Sequence, residues 1–229
     1  MRGRRRAAAL LLAAGILAGA GPVAAEVVTR LPTDAKVVAL TFDGCEAPNA
    51  HASLDRGILA VLQAQKLPFT IFATGLFAET NRDDLARLAR SPLVEIENHS
   101  YSHPAHMERL PPARQAEQVA KTDRLIAAIT GRRPRFFRFP GGHYDAASLA
   151  AVEASGHTVV HWTFASGDPG RGLTPEHLAE WVLLKTRPGS ILIFHINGRA
   201  PATAPALPRI LAALRAKGYR FVRLDEMLR

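Results

Sequence analysis

From residue 37 to the end of the chain, short apolar runs alternate with longer stretches whose apolar positions recur every three or four residues. Residues 37–42 are β-branched, aromatic and almost wholly apolar, as expected of a strand covered on both faces. Residues 54–65 carry helical spacing instead. The alternation then repeats. Strand 69–73 precedes helix 82–90, with Asn81 placed to cap it, and strand 93–96 precedes the long helix 111–130. Strand 136–139 leads to helix 146–154 before Gly156, and strand 158–163 to helix 175–185, which opens with a proline. Strand 190–196 and helix 204–217, stopped by Gly218, leave 219–224 as a seventh strand. This order predicts one α/β domain on a parallel sheet, either a (β/α) barrel or an open doubly wound sheet. No longer repeat or low-complexity linker marks a second domain.

The first 25 residues break the pattern. Arg2, Arg4, Arg5 and Arg6 precede an apolar run that ends in the small residues Val23-Ala24-Ala25. That is the plan of a secretory signal peptide cleaved before Glu26, and it predicts an exported protein, periplasmic or extracellular, with no membrane association after cleavage. An uncleaved anchor is the alternative, but a run this rich in Ala and Gly suits it poorly. Residues 26–229 then form the single functional domain, long enough for a sizeable core. Losing the four arginines takes the net charge from +9 to +5. No Lys/Arg cluster is interleaved with aromatics, so nucleic acid is excluded as a partner. Cys45 is the only cysteine, and no intramolecular disulfide can form despite the exported setting. Oligomeric state is not legible.

Candidate chemistry centres on Glu97-Asn98-His99-Ser100-Tyr101-Ser102-His103. If the turn from Ser100 to His103 is helical, His99 and His103 share a face and can grip one metal ion. Nine histidines make one such pair easy to meet by chance. His157 and His161 have the same spacing but lie along an expected strand, where four residues span about 13 Å, so they cannot share an ion. The placement of other polar residues carries more weight. Asp43 follows strand one, Arg138 lies in strand four, Asp168 follows strand five and His195 ends strand six. In a parallel barrel these strand ends emerge on one rim. Together they describe metal-assisted hydrolysis, in which a cation polarises a carbonyl, a carboxylate takes a proton from water and a histidine protonates the leaving group.

The ordered motifs Thr41-Phe42-Asp43, His99 to His103, Arg138-Phe139-Pro140-Gly141-Gly142 and Leu192-Ile193-Phe194-His195 resemble those of the polysaccharide deacetylases of carbohydrate esterase family 4. The likeness spans residues 36–228. It implies a distorted (β/α) barrel of about seven parallel strands, a divalent ion, with Zn²⁺ the first candidate, and removal of acetyl groups from an N-acetylated polysaccharide or oligosaccharide. The resemblance makes Asp43 the general base, His99 and His103 metal ligands, Arg138 the group that orients the base, and His195 the general acid. Gly141 stands where the family has Tyr and would lend its backbone N–H to the oxyanion. Asp168 matches the last Asp of a motif that tunes the catalytic groups, although its usual companions are replaced by Ala165 and Pro169.

The first motif departs from the family pattern, because Asp43 is followed by Gly44 rather than by the metal-binding second Asp. Catalytic zinc normally has three protein ligands. Asp43 turning to the metal, Glu46 or Cys45 reaching in, or water filling the position are the open alternatives. His51 is a further candidate ligand close to this motif. His106, His143 and His177 read as solvated, and Trp162 and Tyr144 are candidates for stacking on a sugar ring. The expected activity is cleavage of an acetamide. An O-acetyl esterase on acetylated glycans and a non-catalytic glycan-binding module are the rival readings.

Overall fold

The computed structural model describes residues 26–228, so the expected signal segment at 1–25 lies outside the described residues. Among the described residues, seven parallel strands alternate with helices, seven in all because two consecutive helices link the second and third strands. The strands are β1 (Val37–Gly44), β2 (Phe69–Ala73), β3 (Val94–Asn98), β4 (Phe136–Phe137), β5 (Thr158–Val159), β6 (Ile191–His195) and β7 (Arg220–Val222). The helices are α1 (Arg56–Ala64), α2 (Gly75–Thr80), α3 (Arg82–Leu88), α4 (Pro112–Thr130), α5 (Ala146–Ala154), α6 (Pro175–Lys185) and α7 (Thr203–Ala216). Among the described residues, no helix is long and apolar enough to cross a membrane.

The strand order is β5-β4-β3-β2-β1-β6, with β7 beside the first half of β1. The sheet curls into a distorted half-barrel, and the segment after β5 meets β6 through a single bridge between Phe164 and Leu192. Strand parity divides the buried residues into two populations. Val38, Leu40 and Phe42 of β1, Phe69 and Ile71 of β2, and Leu192 and Phe194 of β6 face the helices and form the main core with residues such as Leu207 and Ile210 of α7. Val37, Ala39, Phe72, Phe136 and Ile191 face the interior of the curl. Their successors on that inner face are polar, and parity carries β1 from Thr41 to Asp43 to Cys45 and β3 from Glu95 to Glu97 to His99.

Several local expectations need correction. Asn81 precedes α3 but its side chain does not cap it. It instead accepts from Leu54 N–H and donates to the Ala52 and Phe77 carbonyls, pinning the start of α1 to α2. Helix α2 was not legible in the sequence; it is six residues long, opens on Gly75 and is capped by the Thr74 hydroxyl. Strands β4 and β5 have two residues each, so Arg138 stands one residue beyond β4, while Asp43 lies inside β1 rather than after it.

Candidate active site

Strand β1 supplies the floor of the site. Arg138 is fully buried against it. Its guanidinium donates to Asp43 Oδ1 at 2.6 Å, to Thr41 Oγ1 at 3.0 Å, and to the carbonyls of Val160 and His161 at 3.1 and 2.9 Å. It also lies 4.0 Å above the Phe72 ring. An ion pair this deep survives desolvation only because its hydrogen bonds are made. Burial alone would raise the Asp43 pKa, but Arg138, together with His99 and His195, holds the carboxyl below the ordinary carboxylate range.

The histidine loop is not helical, which corrects the geometry expected of His99 and His103. Ser100 and His103 both take left-handed backbone, with φ of 67° and 52°, a conformation that non-glycine residues adopt at some energetic cost. The loop is held on three sides. Gln118 of α4 accepts from the N–H groups of Tyr101 and Ser102, both at 2.9 Å. The opening N–H groups of α2, from Gly75 and Leu76, reach the carbonyls of Ser100 and Tyr101. Asn98 accepts from Ser100 N–H at 2.9 Å. The two imidazoles end 5.1 Å apart, centre to centre. His99 Nδ1 lies 2.8 Å from the Arg138 carbonyl and must donate to it, leaving Nε2 as the bare nitrogen. That Nε2 is buried and without a hydrogen-bond partner, 3.6 Å from Asp43 Oδ2, too far for a hydrogen bond. Burial pushes His99 down to about 3 and lowers His103 as well, so both are neutral at physiological pH.

On the other side of β1, register pairs Asp43 with His195. Burial lowers the basicity of His195, but Asp168 more than reverses that and its pKa lies above the usual value. Asp168 is fully buried. It accepts from His195 Nδ1 at 2.8 Å and from His195 N–H at 2.7 Å, and it is braced by Ser166 and Thr203. His195 therefore presents Nε2 to a pocket of about 290 Å³ whose walls include Asp43, Cys45, His99, His103, Gly141 and Trp162. Gly141 has φ of 62° and is the second residue of the short segment Pro140–Gly142; Pro140 carries no N–H and Gly142 N–H donates to the Phe139 carbonyl at 3.0 Å, so Gly141 supplies the segment's first donor.

The structure thus brings Asp43, Gly141, Asp168 and His195 to the same pocket as His99 and His103, with Arg138 buried behind Asp43. It does not bring Glu46, which is a correction to the set of third-ligand candidates. The Glu46 carboxylate is consumed by His51, Ala52 N–H and Thr80 at 3.0, 3.1 and 2.9 Å. His51 is correspondingly an exposed partner of Glu46 rather than a ligand. His157 is bound to Asp123 at 3.0 Å behind β5, whereas His161 stacks on Trp162 beside Tyr144 near the pocket. Sequence reasoning overlooked Thr41, Gln118, Ser166 and Thr203. Parity along β1 points to Thr41 and Ser166 lies two residues before Asp168, whereas Gln118 and Thr203 carry no local signal, because they act across 16 or more residues.

The donor set suits a divalent cation. Cys45 Sγ and one ring nitrogen each of His99 and His103 lie within 4.8 Å of one another, and neutral imidazoles with an exposed lone pair are ordinary zinc ligands. The polysaccharide deacetylase family matches residues 30–160. The chain is 30% identical to the chitooligosaccharide deacetylase of Sinorhizobium fredii, covering 84% of this chain and 92% of the relative. Among solved structures, a peptidoglycan N-acetylglucosamine deacetylase superposes with a TM-score of 0.79 at 28% identity, over 88% of this chain and 92% of that one. A pseudoenzyme of carbohydrate esterase family 4 from Bacillus anthracis shares the fold, with a TM-score of 0.78 at 24% identity over 90% and 69% of the two chains.

Proposed function

This chain belongs to the polysaccharide deacetylase family, and from that we propose that it is an exported, metal-dependent amidohydrolase that removes acetyl groups from N-acetylglucosamine-type residues of a cell-envelope or environmental glycan. The observation that carries the reading is the convergence of an ionised Asp43, a His195 whose pKa is raised, and two neutral imidazoles on one pocket. His99 and His103 would hold the cation, with zinc favoured by their chemistry. When bound, the ion supplies Lewis-acid polarisation of the acetyl carbonyl.

The remaining steps belong to the protein's own groups. Asp43 takes a proton from the attacking water, and Arg138 keeps it ionised and aimed. His195, its Nδ1 tied to Asp168, delivers the Nε2 proton to the departing amine, giving acetate and a free amino sugar. Gly141 N–H is the donor available to the developing oxyanion. Trp162 forms an apolar wall on which a sugar ring can stack.

The test is Asp43→Asn. Acetate release from N-acetylglucosamine oligomers should fall by roughly 10²-fold or more, while metal stays bound; loss of the metal would make Asp43 a ligand instead. A wild-type protein that binds the oligomers without releasing acetate would be a binding module. One that releases acetate only from O-acetylated glycans would be an esterase.

A further inference from the structure

We propose that Cys45 supplies the third protein ligand to the metal, so that a His99, His103 and Cys45 set replaces the two-histidine, one-carboxylate set of the family pattern. This inference rests on the metal-dependent reading above.

Two independent observations point at the same spot. Cys45 Sγ and one ring nitrogen of each histidine lie within 4.8 Å of one another, whereas donors around a tetrahedral zinc with one sulfur sit about 3.5 Å apart. The three groups need only a small closing movement. Independently, His99 is only 1% exposed, and its buried Nε2 has no hydrogen-bond partner. A buried polar atom in that condition calls for a ligand.

Strand parity explains why the donor is at 45 and not at 44. Thr41, Asp43 and Cys45 share the inner face, so residue 44 points towards the helices. There the space is already filled. A Cβ on Gly44 would come within 2.5 Å of the ring of Phe77, a fully buried core residue that cannot swing aside. A carboxylate at 44 has no room in this chain. Of the nearby acids, Glu46 is committed to His51, Ala52 and Thr80, and Asp43 has one oxygen held by Arg138, which leaves only its Oδ2 open, 3.6 Å from His99 Nε2. The Cys45 carbonyl is anchored by Asn197 Nδ2 at 2.6 Å, which fixes the backbone from which Sγ projects. On binding, the thiol proton leaves to solvent and the sulfur coordinates as thiolate. The substitution leaves Asp43 free to act as base and makes the site softer, favouring zinc or cobalt over magnesium and manganese.

The experiment uses the full-length protein stripped with chelator and loaded with Co²⁺. Because the chain has only one cysteine, any thiolate-to-cobalt charge-transfer band in the near ultraviolet reports Cys45. The expected result is one bound cobalt with that band in the wild type, and loss of both in His99→Ala. Cys45→Ser should lose the band and bind at least about tenfold more weakly, since even outer-shell changes cost that much. Cys45→Asp should recover affinity without the band. One equivalent of cobalt bound by the wild type with no band overturns the thiolate ligand alone, as does a band that persists at full affinity in His99→Ala. Acetate release by a wild type that binds no metal overturns the metal-dependent reading as well.

Discussion

Asp168 sits in Gly167-Asp168-Pro169-Gly170, a sequence that could belong to any surface turn. Burial and four donors make it something else: its carboxylate fixes the tautomer of His195 and raises its pKa. Asp168→Asn should keep only one of the two hydrogen bonds to His195, since an amide has a single acceptor oxygen, and it removes the charge. A general acid must be protonated to act, so with the upward push gone the alkaline limb of kcat/KM should move to lower pH. The rate at neutral pH should drop by about 10²-fold. A pH–rate profile checks this, and an unshifted alkaline limb would mean that another group sets it. The adjacent residues show why sequence reading stops short here. Gly167 and Pro169 report only that the chain turns, while the partners Ser166, His195 and Thr203 are brought together by packing.

At the scale of elements, β3 carries two unlike duties along one face. Parity puts Glu95, Glu97 and His99 in line towards the interior, so the strand that positions the His99 imidazole also buries two acids below it. Glu97 accepts from the N–H groups of Arg135 and Phe136 at 2.7 and 2.6 Å and so stands in for the ladder that two-residue β4 lacks. Glu95 accepts from Thr70 Oγ1 at 2.6 Å and from Leu224 N–H at 3.1 Å. Burial, with Glu95 pressing on Glu97, pushes both acids up, Glu95 to about 7. A carboxyl raised in the folded state above its unfolded value of about 4.3 contributes stability that is complete below that pH and is lost as pH climbs through the folded value. The wild type should therefore weaken between about pH 4.5 and 7. Glu95→Gln should flatten that decline, gaining on the wild type by roughly 2–3 kcal/mol between pH 5 and pH 8 in urea unfolding. Equal pH dependence in both proteins would show that Glu95 is ionised in the fold. Nothing in the local sequence marks Glu95 and Glu97 as partners of Thr70, β4 and residue 224, because those contacts span 25 to 129 residues.

For the molecule as a whole, the site ties together parts that are distant in the chain. Cys45 follows β1, His99 and His103 follow β3, and the loop bearing them is clamped by α2 and α4. A cation bound there would act as a crosslink present only in the folded state. At a free zinc concentration 100 times the dissociation constant, the gain is about 2.7 kcal/mol, or a rise in Tm of roughly 5–10 °C for a domain of this size. Thermal unfolding with zinc and with chelator should show that shift in the wild type and lose it in His99→Ala. No shift in the wild type would mean that the cation does not bind the native fold.

The alternation of apolar runs and amphipathic stretches sufficed for a parallel α/β domain, because burial on both faces of a strand or on one face of a helix is written locally in residue order. The four motifs at strand ends sufficed for the family and for a shared pocket, since each lies at or near the end of a strand and parallel strands end on one rim. What residue order could not settle was which of Asp43, Cys45 and Glu46 faces the imidazoles, how the histidine loop turns, or what Asp168 holds. Those depend on contacts between segments from roughly 30 to more than 100 residues apart, where Arg138 claims one oxygen of Asp43, Thr80 helps to claim Glu46, and Phe77 fills the space beside Gly44.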